Sequence, residues 1–152
     1  MSTNTYAGLT IKAVAGKPAT NDATGFAALT FVGGEASIRQ APAAGRMWNT
    51  ASDNLVDSDT NVDVKASAKY MPMDFSVALK KDHAMHAILR TLEESRTAVG
   101  SFEITLPGSL GTIYVQAQVA KFDEFSGGGQ DDIIDAAVQL LPQAAHIHVD
   151  AP

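Results

Sequence analysis

The segment Met71–Leu79 constrains the fold more than any other part of the sequence. Apolar side chains occupy every second position, namely Met71, Met73, Phe75, Val77 and Leu79. Because a strand directs successive side chains to opposite faces of a sheet, this alternation predicts a strand with one buried face and one polar face. Residues 101–106 and 112–122, joined by the turn LPGSLG, and residues 133–141 predict an antiparallel meander of three strands.

Weaker alternation predicts further strands at 9–14, 27–32, 36–39 and 62–66. One segment instead has the i, i+3, i+4, i+7 spacing of an amphipathic helix, with apolar residues at Met85, Ile88, Leu89 and Leu92. We predict one helix at about 82–95, with Asp82 as its N-cap. The pattern lacks the regular strand–helix alternation of parallel sheets. The predicted class is therefore α+β, mainly antiparallel β, in a single domain over 1–152.

Two segments lack the pattern of a buried element. Residues 40–61 form a predicted long loop that carries the only tryptophan, and residues 142–152 form a predicted C-terminal arm. Long loops in compact domains are usually functional or disordered, and exposed Trp and Met side chains are enriched at protein interfaces. We expect both segments to order against a neighbouring subunit, although Trp48 packed on its own domain is the alternative. The candidate contact residues are Met47, Trp48, Leu55, Val56, Ile147 and Val149.

Composition and motifs favour a protein without catalytic chemistry. The absence of cysteine excludes thiol nucleophiles, thiolate metal sites and disulfides, and no nucleophile elbow, phosphate loop or dinucleotide fingerprint occurs. His83 with His86 and His146 with His148 have a spacing that metal sites use, but the pattern favours solvated side chains for the first pair, and the tail pair suits a short strand added to a partner's sheet edge as well as it suits a metal site. The acidic segment 53–63 lacks the glycine and final glutamate of a calcium loop. We predict no enzyme, metal or cofactor.

Charge and hydropathy limit the partners. The net charge of -6 argues against tight binding to nucleic acid, which requires Lys and Arg to displace phosphate counterions. The start of the chain lacks the basic and apolar regions of a secretory signal, and no run of about 18 apolar residues occurs, so we expect a cytoplasmic protein without membrane insertion. On the outward faces of the predicted strands, one base, Lys65, accompanies four acids: Asp63, Asp74, Glu103 and Asp135.

The order of segments resembles a known family. The stretch KPATNDATGFAALTFVGGEASI, a long polar loop, an alternating strand, HAILRTLEE and then SFEITLPGSLGTIYVQAQVAKFDEFSGGGQDDIIDAAVQL are similar to the major tail tube proteins of long-tailed, non-contractile bacteriophages and related gene transfer particles. The resemblance covers nearly the whole chain. It implies a β-sandwich or barrel-like domain with one flanking helix and a long inter-subunit loop, which polymerises as stacked hexameric rings into a hollow tail tube.

The resemblance also implies partners and a location. Those partners are other copies of the chain, a tape-measure protein, a tail terminator and tail-tip proteins, and DNA passes through the tube without specific binding. The protein would reside in the virion tail after assembly in the host cytoplasm. Lumen-facing acids at Asp63, Asp74, Glu103 and Asp135 would repel DNA phosphates. The alternatives are a tube protein of a contractile tail or type VI-like ring, which shares the fold, and a β-sandwich binding module.

Overall fold

The computed structural model describes residues 8–35, 38–40, 42, 45–54, 61–78, 84–123, 130–131 and 134–150. In chain order the elements are β1 Thr10–Ala15, α1 Ala23–Ala27, β2 Val32–Glu35, β3 Ile38–Gln40, β4 Arg46–Asn54, β5 Asn61–Tyr70, β6 Met73–Ala78, α2 Ala84–Glu94, β7 Gly100–Thr105, β8 Thr112–Asp123, β9 Asp135–Pro142 and β10 Ile147–Val149. The fold is α+β and mainly antiparallel β, as predicted, with strands in two sheets that do not close.

The larger sheet has the strand order β2-β1-β7-β8-β9-β6-β3, and β10 also pairs with β8. The twelve-residue β8 joins two halves of this sheet, because its first part pairs with β7 and its last part pairs with β9. The register shifts between Val119 and Lys121, and a shift of this kind bends a strand. The predicted meander of β7, β8 and β9 is confirmed.

The core lies on one face of the larger sheet, beneath α2. The alternation that predicted β6 is confirmed for Met73, Phe75 and Val77, which are all buried. Met71 was expected on the same face, but it precedes the strand and is 38% exposed, while Leu79 lies outside the described residues. Helix α2 packs against β8, β1 and β2, and its buried side chains include Met85 and Leu89. The other core side chains are Leu9, Ile11, Ala13, Leu92, Phe102, Ile104, Val115, Ala117, Val119, Ala136, Val138 and Leu140.

A second apolar cluster lies on the opposite face of β8. Tyr114 alternates with the core residue Val115, and the Phe26 ring of α1 stacks on Tyr114 with ring centroids 5.3 Å apart. Asp22 is the N-cap of α1, and its carboxylate accepts a hydrogen bond of 2.7 Å from the Gly25 backbone N–H. The segment containing α1 therefore covers part of the sheet face that points away from the core.

Three sequence-based expectations for the fold were wrong. Only one helix was expected, and residues 27–32 were expected to form a strand, but Ala27 ends α1 and β2 begins at Val32. The expected loop 40–61 contains strand β4 over Arg46–Asn54. Its side chains are exposed on both faces, so the strand lacks the apolar alternation that burial of one face produces.

Candidate assembly surfaces

Strands β4 and β5 form a two-stranded ribbon that is separate from the larger sheet. They pair from Arg46↔Tyr70 to Asn54↔Asn61, with a register shift between Trp48 and Thr50. Within the described residues, neither strand pairs with a third strand, so both outer edges of the ribbon are unpaired. All side chains of 46–52 and 62–69 are exposed. An isolated two-stranded ribbon is marginally stable in water, and unpaired edges are ready to accept another strand.

The pairing gives the ribbon two chemically different faces, because residues directly opposite each other point to the same side. The polar face comprises Arg46, Trp48, Thr50, Ser52, Asp63, Lys65, Ala68 and Tyr70. The apolar face comprises Met47, Ala51, Val62 and Val64, together with Asn49, with Lys69 at the base of the ribbon and Asp53 opposite Val62 at its other end. The candidate contact residues Met47 and Trp48 therefore lie on opposite faces.

Cations surround Trp48 on the polar face. The Arg46 guanidinium carbon lies 5.7 Å from the Trp48 ring centroid and 5.4 Å from that of Tyr70, and the Lys65 ammonium lies 5.4 Å from the Trp48 ring. At exposed sites such a contact contributes about 0.5–1 kcal/mol. Trp48 remains 39% exposed. The cations that contact its ring thus belong to the ribbon itself.

The apolar face has no comparable cover. Met47 is 50% exposed, Val62 45% and Val64 48%. Asn49 is a polar residue in the middle of this face, and its side-chain amide donates a 2.9 Å hydrogen bond to the Ser67 hydroxyl. Such a cluster of exposed apolar side chains on one side of an element is typical of an interaction surface. The other loop candidates, Leu55 and Val56, lie outside the described residues.

The four acids expected on one surface lie on two sheets. Asp74, Glu103 and Asp135 alternate with core residues and so share the outward face of the larger sheet, with Asp74 the most exposed. Asp63 lies on the ribbon and accepts a 2.7 Å hydrogen bond from the Ser52 hydroxyl. Sequence analysis also missed Lys12, which is in register with Glu103 on the neighbouring strand. The outward face is therefore less acidic around Glu103 than was expected.

The covering by α1 changes the chemistry of this outward face. Tyr114 lies opposite Glu103 in the β7–β8 pairing. Burial raises the pKa of the Tyr114 phenol, and the negative charge of Glu103 raises it further. Asn21 fixes the segment by donating to the Ala145 carbonyl at 3.2 Å and accepting from the Gln116 amide at 3.0 Å.

The C-terminal arm forms a strand within its own chain. Ile147 pairs with Tyr114 and Val149 with Thr112 on β8, so both side chains lie on the Tyr114 side of the sheet. The expectation that this arm needs a neighbouring subunit to become ordered is wrong for residues 147–149, because β8 is long enough to accept both β9 and β10. That Ile147 and Val149 also contact a neighbour stays a prediction.

The histidines do not form a metal centre in the described chain. His86 was expected to be solvated but is fully buried, with its ring 6.1 Å from that of Phe122, while His83 lies outside the described residues. The His148 ring nitrogen Nε2 is 2.7 Å from the Leu110 carbonyl oxygen. Among described residues, no three His, Asp or Glu side chains are grouped so that they could hold a metal ion. No helix in those ranges is long and apolar enough to span a membrane.

Comparisons with known proteins identify the fold. No family model matches this chain, and no match was found among curated proteins. A chain in the cryo-EM structure of the anti-feeding prophage (AFP) baseplate, 6-fold symmetrised, superposes with a TM-score of 0.69 at 11% identity, covering 95% of each chain. A chain in the virion of the native gene transfer agent (GTA) particle gives 0.65 at 14% identity, covering 97% of this chain and 99% of the other. The chain thus shares its fold with components of two phage-like particles.

Proposed function

We propose that this protein is a structural subunit of a phage-type particle and forms stacked hexameric rings of a hollow tail tube, a conduit for DNA. The observation that carries the proposal is the β4–β5 ribbon, whose two faces and two edges are uncovered by the other residues that the structure describes. Its support comes from the fold shared with a baseplate chain solved with 6-fold symmetry and with a gene transfer agent virion chain.

Ring closure gives the ribbon a physical role. A free strand edge exposes a row of backbone N–H and C=O groups that pair with any available strand. When each copy contributes its ribbon to the next copy around a ring, every edge becomes paired and the sheet closes without ends. Met47 and Trp48 on the ribbon, Leu55 and Val56 in the segment between its strands, and the arm residues Ile147 and Val149 are the proposed contacts between copies.

The acids of the outward sheet face give the conduit a surface that DNA does not adhere to. We assign Asp74, Glu103 and Asp135 of the outward sheet face and Asp63 of the ribbon to the lumen, with Lys12 in register with Glu103 as a cation beside one of them. Repulsion between these carboxylates and DNA phosphates keeps the polymer from binding the wall, and salt screens this repulsion beyond about 8 Å. The charge reversal Asp74→Lys should slow DNA release from assembled particles, with Asp74→Asn as the neutral control. Unchanged release kinetics would remove Asp74 from the lumen.

Self-assembly is tested by negative-stain electron microscopy and sedimentation of the purified protein over a concentration series. We expect rings or hollow tubes of uniform diameter that appear as concentration rises. A stable monomer at every concentration would contradict assembly by this chain alone and favour a binding module. In the virion the further partners are a tape-measure protein, a tail terminator and tail-tip proteins. The fold is equally compatible with a tube of a contractile tail, for which added sheath protein should co-sediment.

A further inference from the structure

We infer that the apolar face of the ribbon packs against a second copy of this chain, while Thr50, Ser52, Asp63 and Lys65 on the polar face remain in contact with water. This inference rests on the proposed function and deepens it, because it assigns the two faces of the assembling element to different environments. The residues that carry it are Met47, Ala51, Val62 and Val64 on one side and Thr50, Ser52, Asp63 and Lys65 on the other.

The distribution of side chains across the ribbon is one-sided. Met47, Val62 and Val64 are each close to half exposed in the single chain, and Ala51 lies between them in register with Val64. The register places one charged residue at each end of this face, Lys69 at the base and Asp53 opposite Val62, with Ala51 and Val64 between them. The polar face instead satisfies its groups internally, through the Ser52–Asp63 hydrogen bond and the cations around Trp48. Burial away from water is therefore more favourable for the apolar face than for the polar face.

The described residues of the chain do not provide a cover for this face. In the described part of the structure, β4 and β5 pack substantially only on each other. The unpaired ribbon edges adjoin the apolar face directly, so the copy that pairs with an edge is also the molecule in position to cover the face.

Charge complementarity favours a second copy as the occupant. The half of the ribbon near its base, residues 46–50 and 65–70, carries three positive charges at Arg46, Lys65 and Lys69 and no acid. The whole stretch 46–70 also contains four acids, Asp53, Asp57, Asp59 and Asp63, and so has a net charge of -1. Because the whole chain has a net charge of -6, the body outside this stretch carries -5. A basic ribbon base is therefore attracted to the acidic body of another copy, which orients the ribbon as the apolar face docks.

The absence of cysteine from the sequence allows a direct test. Ala51→Cys and Thr50→Cys place single thiols at consecutive, exposed positions on opposite faces, and the rate of labelling with a small maleimide measures access to each. In the dilute monomer both thiols should react at similar rates. In the assembled state Ala51→Cys should react at least about tenfold more slowly, a change that corresponds to about 1.4 kcal/mol of protection, while Thr50→Cys keeps its monomer rate.

A second pair of variants tests the same assignment without labelling. Val64→Asp puts a charge on the apolar face and should raise the concentration needed for assembly at least about tenfold, whereas Thr50→Asp on the polar face should change it little. Neither side chain contributes to the core, so circular dichroism of both variants should match that of the wild type.

Electron microscopy of the labelled samples separates the two proposals. Rings in which Ala51→Cys reacts as fast as Thr50→Cys, or in which Thr50→Cys alone is protected, would overturn the face assignment and leave the tube proposal standing. Protection of Ala51→Cys in a dimer that forms no ring would support the face assignment and overturn the ring. A monomer with two equally reactive thiols at every concentration would overturn both.

Discussion

Gly25, in the first turn of α1, is a position where one added methyl group tests the packing of the segment over Tyr114. A Cβ at position 25 would lie closer to the Thr20 carbonyl oxygen than Cβ atoms come to non-bonded atoms in real proteins. It would also lie 2.7 Å from the Thr20 hydroxyl oxygen and 2.9 Å from the Thr20 carbonyl carbon. Two of these three atoms belong to the backbone. Gly25→Ala therefore requires α1 or the Thr20 turn to move, and either movement disturbs the stacking of Phe26 on Tyr114.

The expected magnitude follows from two opposing terms. Forcing an extra carbon into a packed site costs about 1–3 kcal/mol, while alanine is favoured over glycine in a helix by up to about 1 kcal/mol. We therefore expect Gly25→Ala to lower the free energy of unfolding by about 1–2 kcal/mol. For a chain of this size each kcal/mol shifts the melting temperature by about 2–4 °C, which gives a decrease of about 2–8 °C.

Thermal and urea unfolding followed by circular dichroism measure this effect. Gly45→Ala is the matched control, because a Cβ there has no atom within 4 Å, and its free energy of unfolding should stay within about 0.5 kcal/mol of the wild type. A Gly25→Ala protein as stable as the wild type would refute the close approach of α1 to Thr20.

Three further predictions concern buried or titrating groups. Ser101 is buried and its hydroxyl donates to the carbonyl of the exposed Gly16 at 2.8 Å, so Ser101→Ala should cost about 0.5–1.5 kcal/mol in urea unfolding by removing that hydrogen bond. Glu103→Gln should lower the raised pKa of Tyr114 in an ultraviolet absorbance titration. Because the raised pKa means that the folded protein favours the neutral phenol, Tyr114 contributes stability below the ordinary pKa of 10.0. This contribution is lost as pH rises through the folded pKa. Hydrogen bonds from the Gly25 N–H and, to a smaller extent, from Thr20 lower the pKa of Asp22. Its carboxylate therefore stabilises the fold above the ordinary pKa of 3.8, and this effect is lost as pH falls through the lowered pKa. Asp22→Asn should flatten this acid dependence of the free energy of unfolding.

Each of these predictions has a contradicting outcome. Unchanged urea unfolding of Ser101→Ala would mean that another donor reaches the Gly16 carbonyl. The absorbance titration requires Tyr114→Phe as a reference for the other tyrosines, and an unaltered difference curve in Glu103→Gln would assign the whole pKa increase to burial. If Asp22→Asn unfolds with the same acid dependence as the wild type, the Asp22 cap does not contribute to it.

The elements that bury one face were predictable from the sequence. In β6 the alternating Met73, Phe75 and Val77 pack into the core as expected, because burial of one face selects apolar residues at every second position. Helix α1 was not predictable from periodicity, because it has only five residues and depends on the Asp22 cap and on the stacking of Phe26 with a distant tyrosine. His86 lies off the apolar stripe of α2, yet it is fully buried, and its ring lies 6.1 Å from the ring of Phe122 on β8.

The candidate assembly surfaces were predictable only in part. The sequence singles out Met47 and Trp48 as large apolar residues in a polar segment, and both are exposed. Their assignment to opposite faces depends on the register of β4 against β5, and a register shift next to Trp48 reverses the alternation of β5. Lys12 and Glu103 are adjacent because β1 pairs with β7, and local sequence patterns do not encode a pairing between segments so far apart in the sequence.

The pairing of β1 with β7 bears on the order in which the larger sheet and the ribbon can fold. Thr10 pairs with Thr105, so the larger sheet cannot be completed until most of the chain has been synthesised, whereas the ribbon pairs residues as close as Asn54 and Asn61. Contacts between distant segments form slowly and local ones quickly. Fluorescence of Trp48, the only tryptophan, should therefore change before the tertiary signals of the body during refolding. A newly synthesised or refolding chain thus exposes the ribbon, through which copies are proposed to associate, before the rest has folded. Refolding at low protein concentration should therefore favour correct folding over premature association.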